Sequence, residues 1–237
     1  MTVPGLPVTA AIVPAAGRGE RLGPGAPKAL RLLGGAPLLV HAVRALARAR
    51  SVDLVVVAAP PDQVEEVRGL LADHHAGAAL SVVAGGRSRQ ESVRRALASL
   101  PDAVTTVLVH DAARPLAPVE LVDVVAGAVR AGADAVVPVV PVADTVKRVV
   151  DECVVETVDR ETLRAVQTPQ GFERSVLEAA HLDAGPDEAT DDAALVERLG
   201  HVVHVVPGAE EAFKVTRPID LLLAEAVLTR RRADGVR

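Results

Sequence analysis

The sequence predicts an α/β fold, a mostly parallel sheet with helices on both faces. Short Val/Leu/Ala runs alternate with amphipathic stretches through the first half of the chain, and the runs are nearly unbroken in apolar character. A strand with one wet face alternates, whereas a strand covered on both faces stays apolar throughout. The third observation is size: 237 residues, 49% of them hydrophobic, are enough for one large domain with a sizeable core.

In order along the chain, residues 9–13 read as the first strand, followed by a glycine-rich loop. A helix starts at Leu38, where Leu38, Leu39, His41, Ala42, Ala45 and Leu46 keep helical spacing. Strand 54–58, a helix from Asp62, strand 80–84, a helix from Arg89, strand 104–110 and a helix from Val119 continue the βαβα order. The pattern breaks after Val139. Residues 145–150 and 153–158 are β-branched runs joined by Asp151-Glu152, a hairpin without a helix of its own. A lone hairpin is marginal in water and needs cover. Periodicity leaves open whether it packs on its own domain or is an arm exchanged with a second subunit. Beyond it lie Gln167-Thr168-Pro169-Gln170-Gly171, helices from Glu173 and Thr190, a Val-rich strand over 201–206 and a closing helix from Pro218. The expected organisation is a single domain over 1–237 with a β-arm inserted at 140–162.

Composition excludes several function classes. The net charge is -5 and Phe172 and Phe213 are the only aromatic residues, so neither a basic footprint nor a base-stacking platform supports a nucleic-acid partner. Cys153 is the sole cysteine, which rules out an intrachain disulfide and a cysteine-rich zinc site; it reads as a small buried or half-buried hydrophobe. The N-terminus has no basic region of a signal peptide, and charges interrupt every apolar run before the roughly 20 residues of a membrane span. The chain is expected to be soluble and cytoplasmic, with no membrane partner.

Residues 11–28 are the most informative stretch. The apolar strand breaks into a loop where Gly17, Gly19, Gly23 and Gly25 let backbone amides approach a ligand, and Arg18, Arg21 and Lys28 add positive charge. Amides and cations together suit a polyphosphate, and the strand-loop-helix setting favours that reading over a solvated surface turn. It is not a dinucleotide fingerprint, because Leu22 stands where glycine is required. It is not a P-loop either, because Pro27-Lys28-Ala29 replaces Gly-Lys-Ser/Thr. Parallel sheets bind ligands beyond the carboxyl ends of their strands. The opening loop, Gly85-Gly86-Arg87-Ser88-Arg89 after the third strand and Asp111-Ala112-Ala113-Arg114-Pro115 after the fourth should therefore share one rim.

Lysine usage narrows the search further. The chain has 23 arginines and only Lys28, Lys147 and Lys214, so a retained lysine marks a place where a compact ammonium matters. Asp111 ends a buried strand at the rim, where one carboxylate can hold Mg²⁺ on phosphates, since that ion keeps several waters and needs few protein ligands. Thr190-Asp191-Asp192 precedes an amphipathic run and reads first as a helix cap. His110 reads as packed, and His74-His75 and Arg230-Arg231-Arg232 as solvated helix ends. No Ser-His-Asp arrangement, HExxH or paired-acid signature is present, leaving phosphate-binding amides, cations and metal carboxylates. That set fits phosphoryl or nucleotidyl transfer, in which positioning and charge stabilisation carry the catalysis.

At this point the residues resemble a known family, the 2-C-methyl-D-erythritol 4-phosphate cytidylyltransferases of isoprenoid biosynthesis. The likeness rests on Pro14-Ala-Ala-Gly-Arg-Gly-Glu-Arg-Leu-Gly with Pro27-Lys28; Gly85-Gly86 with Arg89 and Ser92-Val93; and Val109-His-Asp-Ala-Ala-Arg-Pro115. It continues through Asp144-Thr145-Val146-Lys147, Thr157-Val-Asp-Arg160, Thr168-Pro169-Gln170, Thr190-Asp191 and Lys214-Val-Thr-Arg-Pro218. The resemblance implies a nucleotide-diphospho-sugar transferase type of fold and a homodimer in which the hairpin arm embraces the partner. By the same likeness Pro14, Ala15, Ala16, Gly17, Arg18 and Gly19 wrap CTP, with Gly86, Arg87 and Ser92 around the cytidine. Arg21 and Lys28 stabilise the transition state at the α-phosphate, and Asp111 binds Mg²⁺ or another divalent cation. Arg114, Thr168, Thr190 and Lys214 approach the methylerythritol phosphate, with Thr145 and Arg160 supplied by the other subunit. Arg160 and Lys214 are counted among the catalytic groups. Arg87 departs from an acidic residue found in some relatives, which leaves backbone contacts from Gly86. The competing expectations are a cytidylyltransferase for another polyol phosphate, such as ribitol 5-phosphate, and a non-catalytic nucleotide-binding protein; intact Arg21, Lys28, Asp111 and Lys214 argue against the latter.

Overall fold

Strand β1 (Val8–Pro14) runs through the centre of the molecule between β4 (Leu54–Ala59) and β6 (Val104–Val109), parallel to both. The computed structural model describes residues 8–17, 27–74, 77–185 and 189–235. Outside β4 lies β5 (Ala79–Ala84), also parallel. On the other side β11 (Gln170–Glu173) is antiparallel to both β6 and β7 (Ala135–Pro141), and β12 (Val203–Pro207) closes that side parallel to β7. The short β10 (Arg164–Val166) pairs with the far half of β7, on the same edge as β11. Six of these eight strands share one direction, so the carboxyl ends of β1, β4, β5 and β6 reach a common rim.

The unbroken apolar strands have their predicted cause. Ala11 and Val13 of β1 face one core, with α1 (Leu38–Arg48), α2 (Val64–Ala72) and α4 (Val119–Arg130). Ala10 and Ile12, one residue out of phase, face a second core with α3 (Arg89–Leu97), α5 (Arg174–Asp183) and α6 (Asp192–Arg198). Both sides of the strand are buried over Ala10–Val13, and all four residues are apolar. The α2 helix begins two residues later than the sequence reading placed it. A small third core around Leu33, Leu38, Leu116, Val215 and Ala224 docks α7 (Pro218–Ala233) beside the hairpin of β2 (Leu32–Leu33) and β3 (Ala36–Pro37).

The sequence pattern carries no strand signal for β10 and β11. Gln170 and Glu173 are polar, and Gly171 gives no apolar signal. Gly171 is nonetheless required, since a Cβ there would stand 2.7 Å from Val125 Cγ1 and 2.9 Å from Val129 Cγ2 of α4. The arm is a hairpin of β8 (Val146–Val150) and β9 (Cys153–Val158), as expected. Asp151 and Glu152 have φ of 45° and 64°, the left-handed pair that a two-residue hairpin turn demands.

Two expectations need correction. Cys153 is exposed on the arm rather than buried, because the hairpin stands away from both cores. The Arg230-Arg231-Arg232 run is not simply solvated. Arg231 pairs with Glu211 and donates to Leu116 O at 2.7 Å, Arg230 pairs with Glu211 at 2.6 Å, and Arg232 donates to Gly34 O at 3.0 Å, so these residues fasten α7 to the domain. His74 closes its own helix through Nδ1 and Leu70 O at 2.8 Å, and His75 lies outside the described residues.

Candidate active site

The three predicted loops meet. Pro14, Ala15, Ala16 and Gly17 after β1, Gly86, Arg87, Ser88, Arg89 and Ser92 after β5, Asp111, Ala112 and Ala113 after β6, and Lys28, Ala29 and Lys214 line one cavity of about 220 Å³. A second, larger cavity of about 710 Å³ adjoins it, sharing Ala16, Gly17, Gly86 and Arg87 and reaching Pro60, Pro61 and Arg95. Sheet hydrogen bonds set the loops side by side: Ala15 N donates to Ala58 O at 2.9 Å, Gly85 N to Ala59 O at 2.7 Å, and His110 N to Ile12 O at 2.8 Å.

The second loop is locked by its own helix. Ser88 caps α3, accepting from Glu91 N at 3.1 Å, while Ser92 Oγ accepts from Gly86 N at 3.0 Å and donates to Ser88 O at 2.8 Å. Arg87 N donates to Glu91 Oε2 at 2.8 Å, and Arg95 reaches back to Gly85 O at 2.7 Å. The Arg87 side chain is exposed on the rim. Gly85 is where this loop touches the first: a Cβ there would stand 2.7 Å from Ala16 Cβ and 3.0 Å from Ser92 Oγ.

The third loop is wired inward. Asp111 N donates to Thr168 Oγ1 at 3.0 Å, which leaves that hydroxyl to donate to His110 Nδ1 at 3.1 Å; His110 Nε2 then donates to Arg114 O at 3.2 Å. This circuit uses the neutral imidazole, with one nitrogen accepting and the other donating. Burial pushes His110 down to about 4, against the pull of the neighbouring Asp111 charge. Arg114 donates to Ala212 O at 2.7 Å and Val166 O at 3.1 Å, and Val215 N donates to Ala113 O at 2.8 Å, so the same loop clamps the segment that carries Lys214. Among the described residues Arg114 has no ion-pair partner, and its Nε is buried without a hydrogen bond.

Charge concentrates at Asp111. Its Oδ2 takes Lys214 Nζ at 2.7 Å and its Oδ1 takes Arg89 Nε at 3.3 Å. Burial opposes the charge, but Arg89 and Lys214 outweigh it and hold the carboxyl well below the usual carboxylate range. Among the described residues no three His, Cys, Asp or Glu side chains cluster around a metal position. Asp111 therefore offers one ionised oxygen ligand. That chemistry fits Mg²⁺ held largely by phosphate oxygens and water, and not a metal caged by protein.

Of the residues named from sequence, Pro14, Ala15, Ala16, Gly17, Lys28, Gly86, Arg87, Ser92, Asp111 and Lys214 come together on one cavity. Arg18, Gly19 and Arg21 lie outside the described residues. Thr168 and Arg114 lie buried directly behind the cavity wall. Thr190 is exposed and precedes the cap Asp191, which accepts from Ala194 N at 2.9 Å as read from sequence. Thr145 and Arg160 sit exposed at the arm, where Arg160 donates to Ala143 O at 2.6 Å, and Lys147 reaches Thr157 Oγ1 across the hairpin at 2.5 Å. Two residues that the sequence reading did not name as site residues join the site. Arg89 lines the cavity, and Asp192 stands behind it with Arg89 Nη1 at 2.6 Å from its Oδ2. A second acid beside a helix cap, followed by the buried Ala193, Leu195 and Val196, was the available signal.

Comparison with known proteins gives one consistent answer. Residues 9–230 match the family described as 2-C-methyl-D-erythritol 4-phosphate cytidylyltransferase. The chain is 62% identical over 234 residues to the protein of that name from Streptomyces coelicolor, covering 94% of this chain and 86% of the relative. A crystal structure of the Thermus thermophilus protein of the same name, 38% identical, superposes with a TM-score of 0.76 over 94% of this chain and 100% of that one. The 4-diphosphocytidyl-2C-methyl-D-erythritol synthase of Anaerococcus prevotii, 28% identical, gives a TM-score of 0.82 over 94% and 97%. With residues 9–230 matched by the family model and a relative of that name 62% identical over 94% of the chain, this chain belongs to the 2-C-methyl-D-erythritol 4-phosphate cytidylyltransferase family.

Proposed function

We propose that this chain transfers the cytidylyl group of CTP to 2-C-methyl-D-erythritol 4-phosphate, releasing pyrophosphate and leaving 4-diphosphocytidyl-2-C-methyl-D-erythritol. The observation that carries this reading is the meeting of residues 14–17, Lys28, Asp111 and Lys214 on one cavity, in a chain of this family. A phosphate oxygen of the alcohol phosphate attacks the α-phosphorus of CTP in line. The new P–O bond forms as the bond to the β-phosphate bridging oxygen breaks, and that electron pair leaves with pyrophosphate. The attacking oxygen is already anionic, so no general base is required.

The chain's own residues position and neutralise. Backbone of residues 14–17 lies against the triphosphate, and Gly86 and Ser92 against the nucleoside. Lys28, with Arg21, meets charge that accumulates on the α-phosphate oxygens in the transition state. Asp111 would hold Mg²⁺, which when bound neutralises phosphate oxygens. Lys214 and the buried cation of Arg114 offset repulsion between the two anionic reactants and set the approach angle. Thr145 and Arg160 complete the acceptor site from a second subunit. Among the described residues no arm residue lines the cavity of its own chain, and Val149, Val150, Val154 and Val155 are each more than half exposed on a hairpin that needs cover.

Pyrophosphate release tests this. CTP with methylerythritol phosphate should give turnover, and CTP with ribitol 5-phosphate should give less than about a hundredth of it, since a misfitted polar acceptor leaves buried groups unpaired. Equal or faster turnover with ribitol 5-phosphate would overturn the acceptor assignment, and binding of CTP without turnover on either would support a non-catalytic protein.

A further inference from the structure

We propose that Asp192 and His181 form a buried positioning pair that holds the Arg89 guanidinium and, through it, fixes the angle of the Asp111 carboxylate. The inference rests on the cytidylyl-transfer reading, because it assigns residues behind that same site.

The geometry is a chain of charges running inward from the cavity. Lys214 Nζ meets Asp111 Oδ2, and Asp111 Oδ1 meets Arg89 Nε at 3.3 Å. Arg89 Nη1 meets Asp192 Oδ2 at 2.6 Å, and Asp192 Oδ1 accepts from His181 Nε2 at 2.9 Å. The last two side chains are only 1% and 2% exposed. Burying a carboxylate that deeply costs folding energy, and an apolar pair of the same volume would hold α5 to α6 at least as well. The arrangement is better explained by what it does to Arg89. A planar guanidinium whose separate nitrogens face two carboxylates cannot turn toward one without losing the other. The Asp192 carboxylate cannot turn either, because each oxygen has a different partner.

The start of α6 is itself fixed. Asp191 caps it and its Oδ2 accepts from Gln170 Nε2 at 2.7 Å, while Gln170 Oε1 accepts from Ala193 N at 3.3 Å. The Thr190-Asp191-Asp192 segment thus works inward through its two acids. For Asp111 the consequence is asymmetric. Oδ1 is held by an anchored fork, whereas Oδ2 is held by an ammonium on a flexible stem that is 39% exposed. One oxygen stays put and the other can exchange Lys214 for an incoming cation.

Steady-state pyrophosphate release with the full chain tests the proposal. Asp192→Asn should lower kcat about 10- to 100-fold, the usual cost of losing an outer-shell support, with KM for CTP nearly unchanged. In an Asp111→Asn background the same change should cost less than about twofold more, because it acts through Asp111. Mn²⁺ titration by electron paramagnetic resonance, with CTP present and no acceptor, should show weakened Mn²⁺ binding in Asp192→Asn. If that variant does not fold, Arg89→Lys, which keeps the charge and loses the fork, should shift all three readouts the same way. Unchanged kcat and Mn²⁺ affinity in a folded variant, or the full loss repeated in the Asp111→Asn background, would overturn the proposal. If the unaltered chain turns over no substrate, the functional reading fails on its own, and the Mn²⁺ titration still decides the positioning role.

Discussion

Lys214 Nζ lies 2.7 Å from Asp111 Oδ2, joining the segment before the last helix to the carboxyl end of β6. In this arrangement the ammonium is the partner of one oxygen of the carboxylate and Arg89 of the other. The pair also explains why a lysine stands at position 214: its flexible stem can swing between Asp111 and a phosphate, which a planar arginine held by two bonds would do less readily.

Lys214→Ala should therefore leave the chain folded and the chemistry poor. The pair is half-buried, Lys214 39% and Asp111 11% exposed, and Asp111 keeps Arg89, so the loss costs more than the about 0–1 kcal/mol of a solvated pair and less than the about 3–5 kcal/mol of a fully buried pair broken on one side. We expect kcat/KM for methylerythritol phosphate to fall by about two orders of magnitude, with thermal unfolding shifted by only a few degrees. A large loss of stability with normal turnover in the surviving protein would contradict the assignment.

Lys28→Ala should act on turnover more than on CTP affinity. If Lys28 meets charge that appears only at the transition state, kcat drops about 100- to 1,000-fold while KM for CTP stays within a small factor. Unchanged kcat with raised KM would make Lys28 a ground-state binding residue instead.

The arm makes a prediction about subunits. Arg160→Ala and Lys28→Ala should each be inactive, and mixing them under conditions of subunit exchange should restore activity, because one hybrid site keeps both residues. Mass spectrometry of the mixture establishes exchange, and hybrids without any activity would argue that Arg160 is not supplied across an interface.

His110 sets a pH dependence of stability whose sign follows from its burial. The folded imidazole titrates at about 4 against 6.5 when exposed, so the folded state disfavours the proton. Stability is full above 6.5, falls as the pH drops from 6.5 to about 4, and then receives nothing further from this group; the total is about 3 kcal/mol. Asp111 and Asp192, both held below the usual carboxylate range, add a further loss below pH 4. Urea midpoints measured between pH 7 and 4 should show the slope, and His110→Gln should flatten it.

Gly85→Ala should couple a packing fault to nucleotide binding. The new methyl would press on Ala16 Cβ at 2.7 Å, forcing apart the two loops proposed to hold CTP. Overpacking of this kind costs about 1–3 kcal/mol, and KM for CTP should rise with the loss of stability. Normal CTP affinity in the folded variant would show that the loops tolerate separation.

The site was legible from sequence to different depths. Gly17, Lys28, Gly86, Asp111 and Lys214 stood out because glycine, a rare lysine or an acid at a strand end is a local signal. Arg89 and Asp192 did not. One of 23 arginines and the second of two adjacent acids become distinctive only when α3, β6 and α6 bring them within 2.6 Å of each other. Thr168 shows the same limit: its hydroxyl is engaged by His110 and Asp111, partners fixed by the pairing of β11 with β6.

By itself the sequence determined the two-faced sheet, the succession along the chain of four of its parallel strands, the hairpin turn and the rim at which the three loops meet. These follow from periodicity and local turn chemistry, which act over a few residues. Tertiary structure alone decided where the antiparallel β11 inserts, that Cys153 is exposed, and that Asp111 sits between a fixed guanidinium and a movable ammonium. Those outcomes depend on which distant edges and charges meet, and burial makes each meeting costly to leave unpaired.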